Sequence, residues 1–304
     1  MQLTEQHMIN RDDPRYNVIN AAAFASKNLY NAANYEIRQA YIFEGRYLSY
    51  NEMDKRMQSH EAYRALPAKV AQQVLRQLDQ CWQGFFAARK AYRHDPSKFL
   101  GEPRLPKYKD KTKGRNLLVY TDQAISRTGL KRGLICPSML PIEVKTQQTS
   151  IDQVRIVPRH GYYVVEVIFE RPAQQADVNP DLCAGVDLGI TNLAAIASNK
   201  PGFVPRIVNG RPLKAMNQWY NKRKAHLQKK LGKTGTTHQM ENLTNRRNRR
   251  INHALHIASK QVIDLLVEEG IGTLITGKND GWKQEVEMGK RNNQNFGAPH
   301  QRRK

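Results

Sequence analysis

The sequence is poor in cysteine, in acidic residues and in long apolar runs, and each shortage excludes a class of protein. Cys81, Cys136 and Cys183 lie far apart, with no Cys-x-x-Cys pair, so we expect a reducing compartment, no disulfide framework and no zinc site. No stretch approaches the roughly 20 apolar residues that cross a bilayer. The N-terminus lacks the basic start and apolar run of a secretory signal. We therefore predict a soluble intracellular protein with no membrane partner.

Basic residues outnumber acidic ones by a wide margin. Lys and Arg number 49 against 27 Asp and Glu, which gives a formal net charge of +22 at pH 7. Because each phosphate that a cation neutralises releases condensed counterions, this charge favours a nucleic-acid partner. An anionic membrane surface, a ribosome-like scaffold and an inert basic surface are the alternatives. The length of 304 residues, with 39% hydrophobic content, allows two or three packed domains.

The pattern of apolar residues changes twice along the chain. Helical spacing at first predicts three helices, at 17–44, 51–59 and 67–93. From about residue 100, β-rich segments separated by turn residues predict five short strands, at 117–120, 134–136, 142–144, 154–157 and 162–169. The last two flank residues 158–161, which predict a hairpin turn. After a polar linker at 171–180, strands at 184–189, 193–197 and 274–275 alternate with helices at 212–231 and 241–269, which predicts an α/β domain.

Asp187 is the residue that most suggests chemistry. It lies between Val186 and Leu188 in an apolar strand, where an acid is costly unless it is paired or bound to metal. In RNase H-like nucleases the first strand presents one such Asp to divalent metal, and two metals activate water and stabilise the leaving oxygen of a phosphodiester. The alternative is an Asp that caps the turn at Gly189.

Two basic runs follow Asp187 and form either a phosphate channel or a solvated face. The first extends from Lys214 to Lys233 and the second from Arg246 to Arg250, and Glu241 is the only acid among them. Together with two lysines further upstream, they supply the candidate nucleic-acid-binding residues: Lys107, Lys109, Lys222, Arg223, Lys224, Arg246, Arg247, Arg249 and Arg250.

Several segments together resemble the TnpB family, transposon-encoded RNA-guided nucleases that are apparent ancestors of type V CRISPR effectors. Asp187 to Ala194, followed by Asn217 to Arg223, resembles the RuvC-like domain of that family. Pro103 to Lys109 resembles its Pro-rich basic strand, and Tyr162 to Phe169 the hairpin before the RuvC-like domain. Arg246 to His256 resembles the helix that leads toward the second catalytic strand.

The resemblance implies an α+β multidomain protein. It places a β-barrel-like wedge module at 1–16 plus 100–175, a helical recognition module at 17–99 and an incomplete RNase H-like (RuvC) α/β domain at 182–304. The implied partners are a guide RNA from the transposon end and double-stranded target DNA, with base pairing supplied by the RNA and a short flanking motif read by the protein. The implied setting is the nucleoid of a prokaryotic cytoplasm.

The chain departs from the family where a second metal-binding acid is expected. A RuvC-like site uses a Glu that ends the strand after the long helices and a third Asp near the C-terminus, but this chain has Leu274 to Gly277 at the former position. The segments 277–285 and 289–296 resemble a branch of the family that supplies the second acid later. Asp280, Glu285 and Glu287 are possible substitutes, in a polar, irregular segment. From these departures we expect a C-terminally truncated domain in which Asp187 alone binds Mg²⁺ weakly.

Three functions fit this sequence. The first is a nuclease-deficient, RNA-guided DNA-binding protein, which could block transcription by occupying its site. The second is a truncated form of an active RNA-guided DNA endonuclease. The third is a basic RNA-binding protein that holds transposon RNA without targeting DNA.

Overall fold

The computed structural model describes residues 1–232 and 235–277, and the chain divides into two compact units, Met1–Ala173 and Gln174–Lys304. The first unit contains the three predicted helices within about two residues of their expected ends: α1 (Tyr16–Phe43), α2 (Tyr50–Met57) and α4 (Ala68–His94). A short helix that the sequence analysis missed, α3 (Glu61–Arg64), connects α2 and α4. Within the described ranges, every helix is too short or too polar to cross a membrane.

An antiparallel sheet of four strands accompanies these helices. It comprises β1 (Gln2–Asn10), β2 (Leu118–Thr121), β5 (Gln153–Arg159) and β6 (Tyr162–Glu170), in the order β1-β6-β5-β2. The predicted hairpin joins β5 to β6, although its turn is tighter than expected because Pro158 and Arg159 still pair with β6. Gly161 supplies the left-handed backbone of this turn, with φ of 82°.

The remaining elements of this unit are small. A helical turn, α5 (Arg127–Lys131), precedes a two-stranded sheet of β3 (Leu134–Ile135) and β4 (Val144–Lys145). The strand expected at 142–144 is therefore displaced toward its C-terminal end.

The prediction of a β-barrel-like module is wrong. In residues 1–173, all of which are described, β1 and β2 are edge strands that pair on one side only, so the four-stranded sheet stays open. Closure into a barrel requires the edge strands to pair with each other or with further strands. The separate wedge-like and helical modules stay a prediction. Apolar residues of both, including Ile9, Leu29, Trp82 and Ile156, belong to one hydrophobic core.

The second unit has the expected α/β character. Strands β7 (Asn179–Asp187), β8 (Asn192–Ser198) and β9 (Arg206–Asn209) form an antiparallel meander, and β10 (Ile271–Thr276) pairs in parallel with β7 at the other edge. Two long helices, α6 (Arg211–Leu231) and α7 (His238–Glu268), connect β9 to β10. Val262 and Leu266 of α7 cover one face of the sheet, where Val186 and Ile196 are buried.

Candidate nucleic-acid interface

Asp187 is the last residue of β7, and its side chain is exposed. Side chains alternate along a strand, so Val186 points to the buried face and Asp187 to the opposite one. The carboxylate has no hydrogen bond or ion pair to the residues that the structure describes. Contrary to the prediction, the acid is not buried at a cost in an apolar strand, because the strand ends at Asp187 and water reaches the carboxylate.

The neighbours of Asp187 in the sheet carry no metal-binding side chain. On one side it pairs with Ala195 of β8. On the other side Thr276 of β10 pairs with Val186, so the next residue, Gly277, follows beside Asp187 at the position where the second acid was expected. A Cβ atom at Gly277 would have no atom of the described residues within 4 Å, apart from its neighbours in the chain.

The described residues include no cluster of metal-binding side chains, and weak binding of Mg²⁺ by Asp187 stays a prediction. None of their His, Cys, Asp and Glu side chains form a group of three or more that could hold a metal ion. Mg²⁺ sheds its waters reluctantly and needs several converging oxygen ligands. Asp280, Glu285 and Glu287 lie outside the described residues, so their proposed substitution is a prediction still.

We predict that Asp187→Ala leaves the affinity for nucleic acid within about twofold of the parent value, because an exposed carboxylate without a polar partner holds no other residue in place. Fluorescence anisotropy with labelled duplex DNA and with labelled RNA measures this. A loss of tenfold or more would mean that Asp187 organises the binding surface.

The tight loop at 188–191, which connects β7 to β8, contacts the beginning of the first basic helix, α6. The loop residue Thr191 accepts a hydrogen bond from the backbone N–H of Gly210 at 2.8 Å, and a Cβ atom at Gly210 would collide with the carbonyl oxygen of Ile190. Lys214 Nζ donates to Thr191 Oγ1 at 3.5 Å. The beginning of α6 is thus fixed beside the end of β7.

The predicted basic residues of α6 and α7 are mostly exposed. Lys222, Arg223 and Lys224 occupy one turn of α6, and Arg246, Arg249 and Arg250 project from α7. Within the described chain, no ion pair involves Lys222, Arg223, Lys224, Arg246 or Arg250. These ammonium and guanidinium groups are therefore available to phosphates at little desolvation cost.

Arg247 differs from its neighbours because it lies between the two helices. Its Nε and Nη2 atoms donate to Oδ1 of the buried Asn217 of α6 at 3.0 and 2.6 Å. Its guanidinium also lies 5.2 Å from the centre of the Tyr220 ring. We infer that Arg247 stabilises the α6–α7 pair, and a direct contact of this residue with nucleic acid stays a prediction.

In the first unit, the segment 103–111, which we call the basic strap, runs along α1. Polar side chains of α1 donate hydrogen bonds to the backbone carbonyls of the strap. Lys27 Nζ donates to Lys111 O at 2.8 Å, and Asn31 Nδ2 donates to Lys109 O at 2.9 Å. Asn34 Nδ2 and Arg38 Nη1 both donate to Pro106 O, at 3.1 and 3.2 Å. Asn31 Oδ1 also accepts from the backbone N–H of Lys109 at 2.9 Å.

These hydrogen bonds between α1 and the basic strap, which we call the ladder, were not predicted, although they leave a signal in the sequence. Residues 27, 31, 34 and 38 follow the spacing of one helix face, yet all four are polar in a helix whose other buried positions, Ser26 excepted, are apolar. Lys27 is only 3% exposed, which is rare for a lysine without a specific partner. Its burial lowers the pKa of the amine, and the charge of Arg115 lowers it further.

The strap presents its two candidate lysines differently. Lys107 is exposed, whereas Lys109 is half-buried with its ammonium 4.8 Å from the centre of the Tyr30 ring. Burial lowers the pKa of Lys109, and the nearby Cys81 opposes this effect. Lys107 is therefore the better placed of the two for phosphate, and the role of Lys109 as a binding residue is untested.

Comparison with known proteins supports the predicted family for part of the chain. Residues 160–283 match the family model of OrfB_IS605, described as a probable transposase, and this range contains Asp187 and the two basic helices. The match covers 124 of the 304 residues, and over that range it supports the TnpB-type family that the sequence predicted. No curated protein matches the chain.

Two solved structures are similar to the chain at low identity. A Cas12f1–sgRNA–target DNA complex matches at 10% identity with a TM-score of 0.30, over 91% of this chain and 73% of that one. A CRISPR–Cas12f ternary complex matches at 11% identity with a TM-score of 0.29, over 86% of this chain and 63% of that one. Scores this low establish no common arrangement of the units.

Proposed function

We propose that this TnpB-type chain binds double-stranded DNA under the direction of a guide RNA, and that by itself it does not cut the DNA. The exposed cations of α6 and α7 are the observation that carries the binding proposal. They lie on two adjacent helices of one unit, and contacts from such residues to phosphates supply affinity without sequence preference. Sequence preference would come from base pairing by the RNA, as expected for the family.

The absence of cutting is proposed from the surroundings of Asp187. Its sheet neighbours Ala195 and Gly277 offer no ligand atoms from their side chains, so no two-metal arrangement can form from these positions. Binding needs only the cations and the paired RNA. A chain with this site can therefore occupy DNA without hydrolysing it.

The test begins with the chain co-expressed with the transposon end and purified with its RNA. Sequencing that RNA defines the guide, and duplexes that match it or carry a scrambled target then report on binding. We expect the matched duplex, presented with varied flanking sequence, to bind at least tenfold more tightly than the scrambled one. We expect no cleavage in Mg²⁺ over the same incubation.

Two outcomes would replace the proposal. Cleavage that Asp187→Ala abolishes would show an active nuclease, and the deficiency would be wrong. Retention of RNA with equal affinity for matched and scrambled DNA, whatever the flanking sequence, would support a protein that holds RNA without targeting DNA.

A further inference from the structure

The basic strap exposes an aromatic ring among cations. Tyr108 is 44% exposed, and the residues on either side of it are Lys107 and Lys109. The guanidinium carbon of Arg38 lies 5.0 Å from the centre of the Tyr108 ring. One side of the ring is therefore covered by a cation, and much of the rest is open to solvent.

The backbone on either side of the ring, and the cation over it, are held in place before any ligand arrives. Arg38 is anchored by its hydrogen bond to Pro106 O, and Asn31 bonds both the N–H and the carbonyl of Lys109, the residue that follows Tyr108. Pro103 and Pro106 further restrict the backbone of the strap. Because these groups are already ordered, a ligand that stacks on Tyr108 incurs little additional loss of conformational entropy.

The surroundings of the ring select the chemistry of the ligand. Lys107 and Arg104 are exposed on the same strap, and the nearest acid along it, Asp110, turns its carboxylate to the backbone N–H groups of Thr112 and Lys113. Cations beside an exposed aromatic ring suit a ligand that alternates phosphates with flat bases. A duplex keeps its bases stacked inside, so only an unpaired nucleotide can reach the ring.

We propose that the basic strap binds unpaired nucleotides, with one base stacked on Tyr108 and the adjoining phosphates on Lys107 and Arg104. This inference deepens the proposed function, since an unpaired segment of the guide RNA is one source of such a nucleotide and a displaced DNA strand is the other. The stacking site lies in the first unit and does not depend on Asp187.

The experiment separates stacking from charge. The full chain, freed of co-purifying RNA by a high-salt wash, is titrated with three labelled 12-mers: oligouridine RNA, oligothymidine DNA and an abasic strand of equal charge. Tyr108→Leu removes the ring, whereas Tyr108→Phe keeps it. Phe43→Leu is the matched control, because Phe43 is a 77% exposed aromatic of α1 and no cation lies over its ring among the described residues.

We expect Tyr108→Leu to weaken binding of the base-carrying strands by about tenfold and to leave the abasic strand within twofold. Tyr108→Phe and Phe43→Leu should leave all three within twofold. Loss on both base-carrying strands supports a site for unpaired nucleotides of either kind, and loss on RNA alone assigns the site to the guide.

Equal loss on the abasic strand, or no loss on any strand, would overturn the inference. Tyr108→Trp tests the inference even if the leucine variant does not fold, because its larger ring should bind the base-carrying strands at least as tightly as the parent does. If Tyr108→Leu acts as expected but matched DNA is not preferred, the proposed function fails and the stacking site stands. If matched DNA is preferred and Tyr108→Leu does not change binding, the proposed function stands and the stacking site fails.

Discussion

Trp82→Ala is expected to lower the free energy of unfolding of the first unit by about 3–5 kcal/mol. Trp82 is fully buried on α4, and its ring packs against Tyr41, Phe85 and Phe86. Its Nε1 atom donates to Asn34 Oδ1 at 3.1 Å. The substitution therefore opens a cavity and leaves a buried amide oxygen without its donor. Urea unfolding followed by circular dichroism measures the change.

Two further variants divide this loss into its parts. Trp82→Phe keeps most of the ring volume but removes the N–H, and should cost about 1–3 kcal/mol. Trp219→Ala is the matched control, because that indole is 58% exposed and its loss should change stability by less than about 0.5 kcal/mol. If Trp82→Ala costs no more than Trp219→Ala, the packing of α1 against α4 is not as described.

The double substitution Arg246→Glu with Arg250→Glu is expected to weaken binding of duplex DNA by roughly tenfold or more at about 0.1 M salt. The two arginines are one turn apart and exposed on α7. If each neutralises one phosphate, their loss should reduce the slope of log affinity against log salt by about 1.8. Anisotropy titrations at four or more salt concentrations measure both quantities.

The control keeps the charges and changes only the shape of the two groups. Arg246→Lys with Arg250→Lys should retain the salt slope within its error, because both phosphates keep a cation. An affinity and a slope that stay unchanged in the glutamate variant would mean that these arginines form a solvated face only. The phosphate channel would then have to lie elsewhere.

The elements that the sequence predicted well are those with long, regular patterns. The helices α1, α4, α6 and α7 repeat apolar residues over many turns, so their existence and approximate ends follow from spacing alone. In contrast, β1 was missed as a strand because most of its residues are polar. Its pairing with β6 orders it, and the paired residues lie 152 to 168 positions apart in the sequence.

The site could be predicted in its residue types but not in its placement. Spacing identified Asp187 and the basic runs, yet it could not show that Asp187 ends its strand or that Arg247 turns inward while Arg246 and Arg250 do not. Those outcomes depend on register and on which face of α7 meets α6. The barrel-like module was implied by the family resemblance, and local sequence patterns could not correct it because they do not show whether two edge strands meet.

The ladder between α1 and the basic strap acts almost wholly on main-chain atoms. The bonds join four side chains of α1 to the carbonyls of Pro106, Lys109 and Lys111 and to the N–H of Lys109. Every residue type offers such a carbonyl, and every type except proline offers such an N–H. The side chains at 104, 107 and 108 can therefore be exchanged while the strap keeps its course. Because α1 binds the main chain of the strap, different ligand-binding side chains can be placed on the strap without any change to the core beneath it.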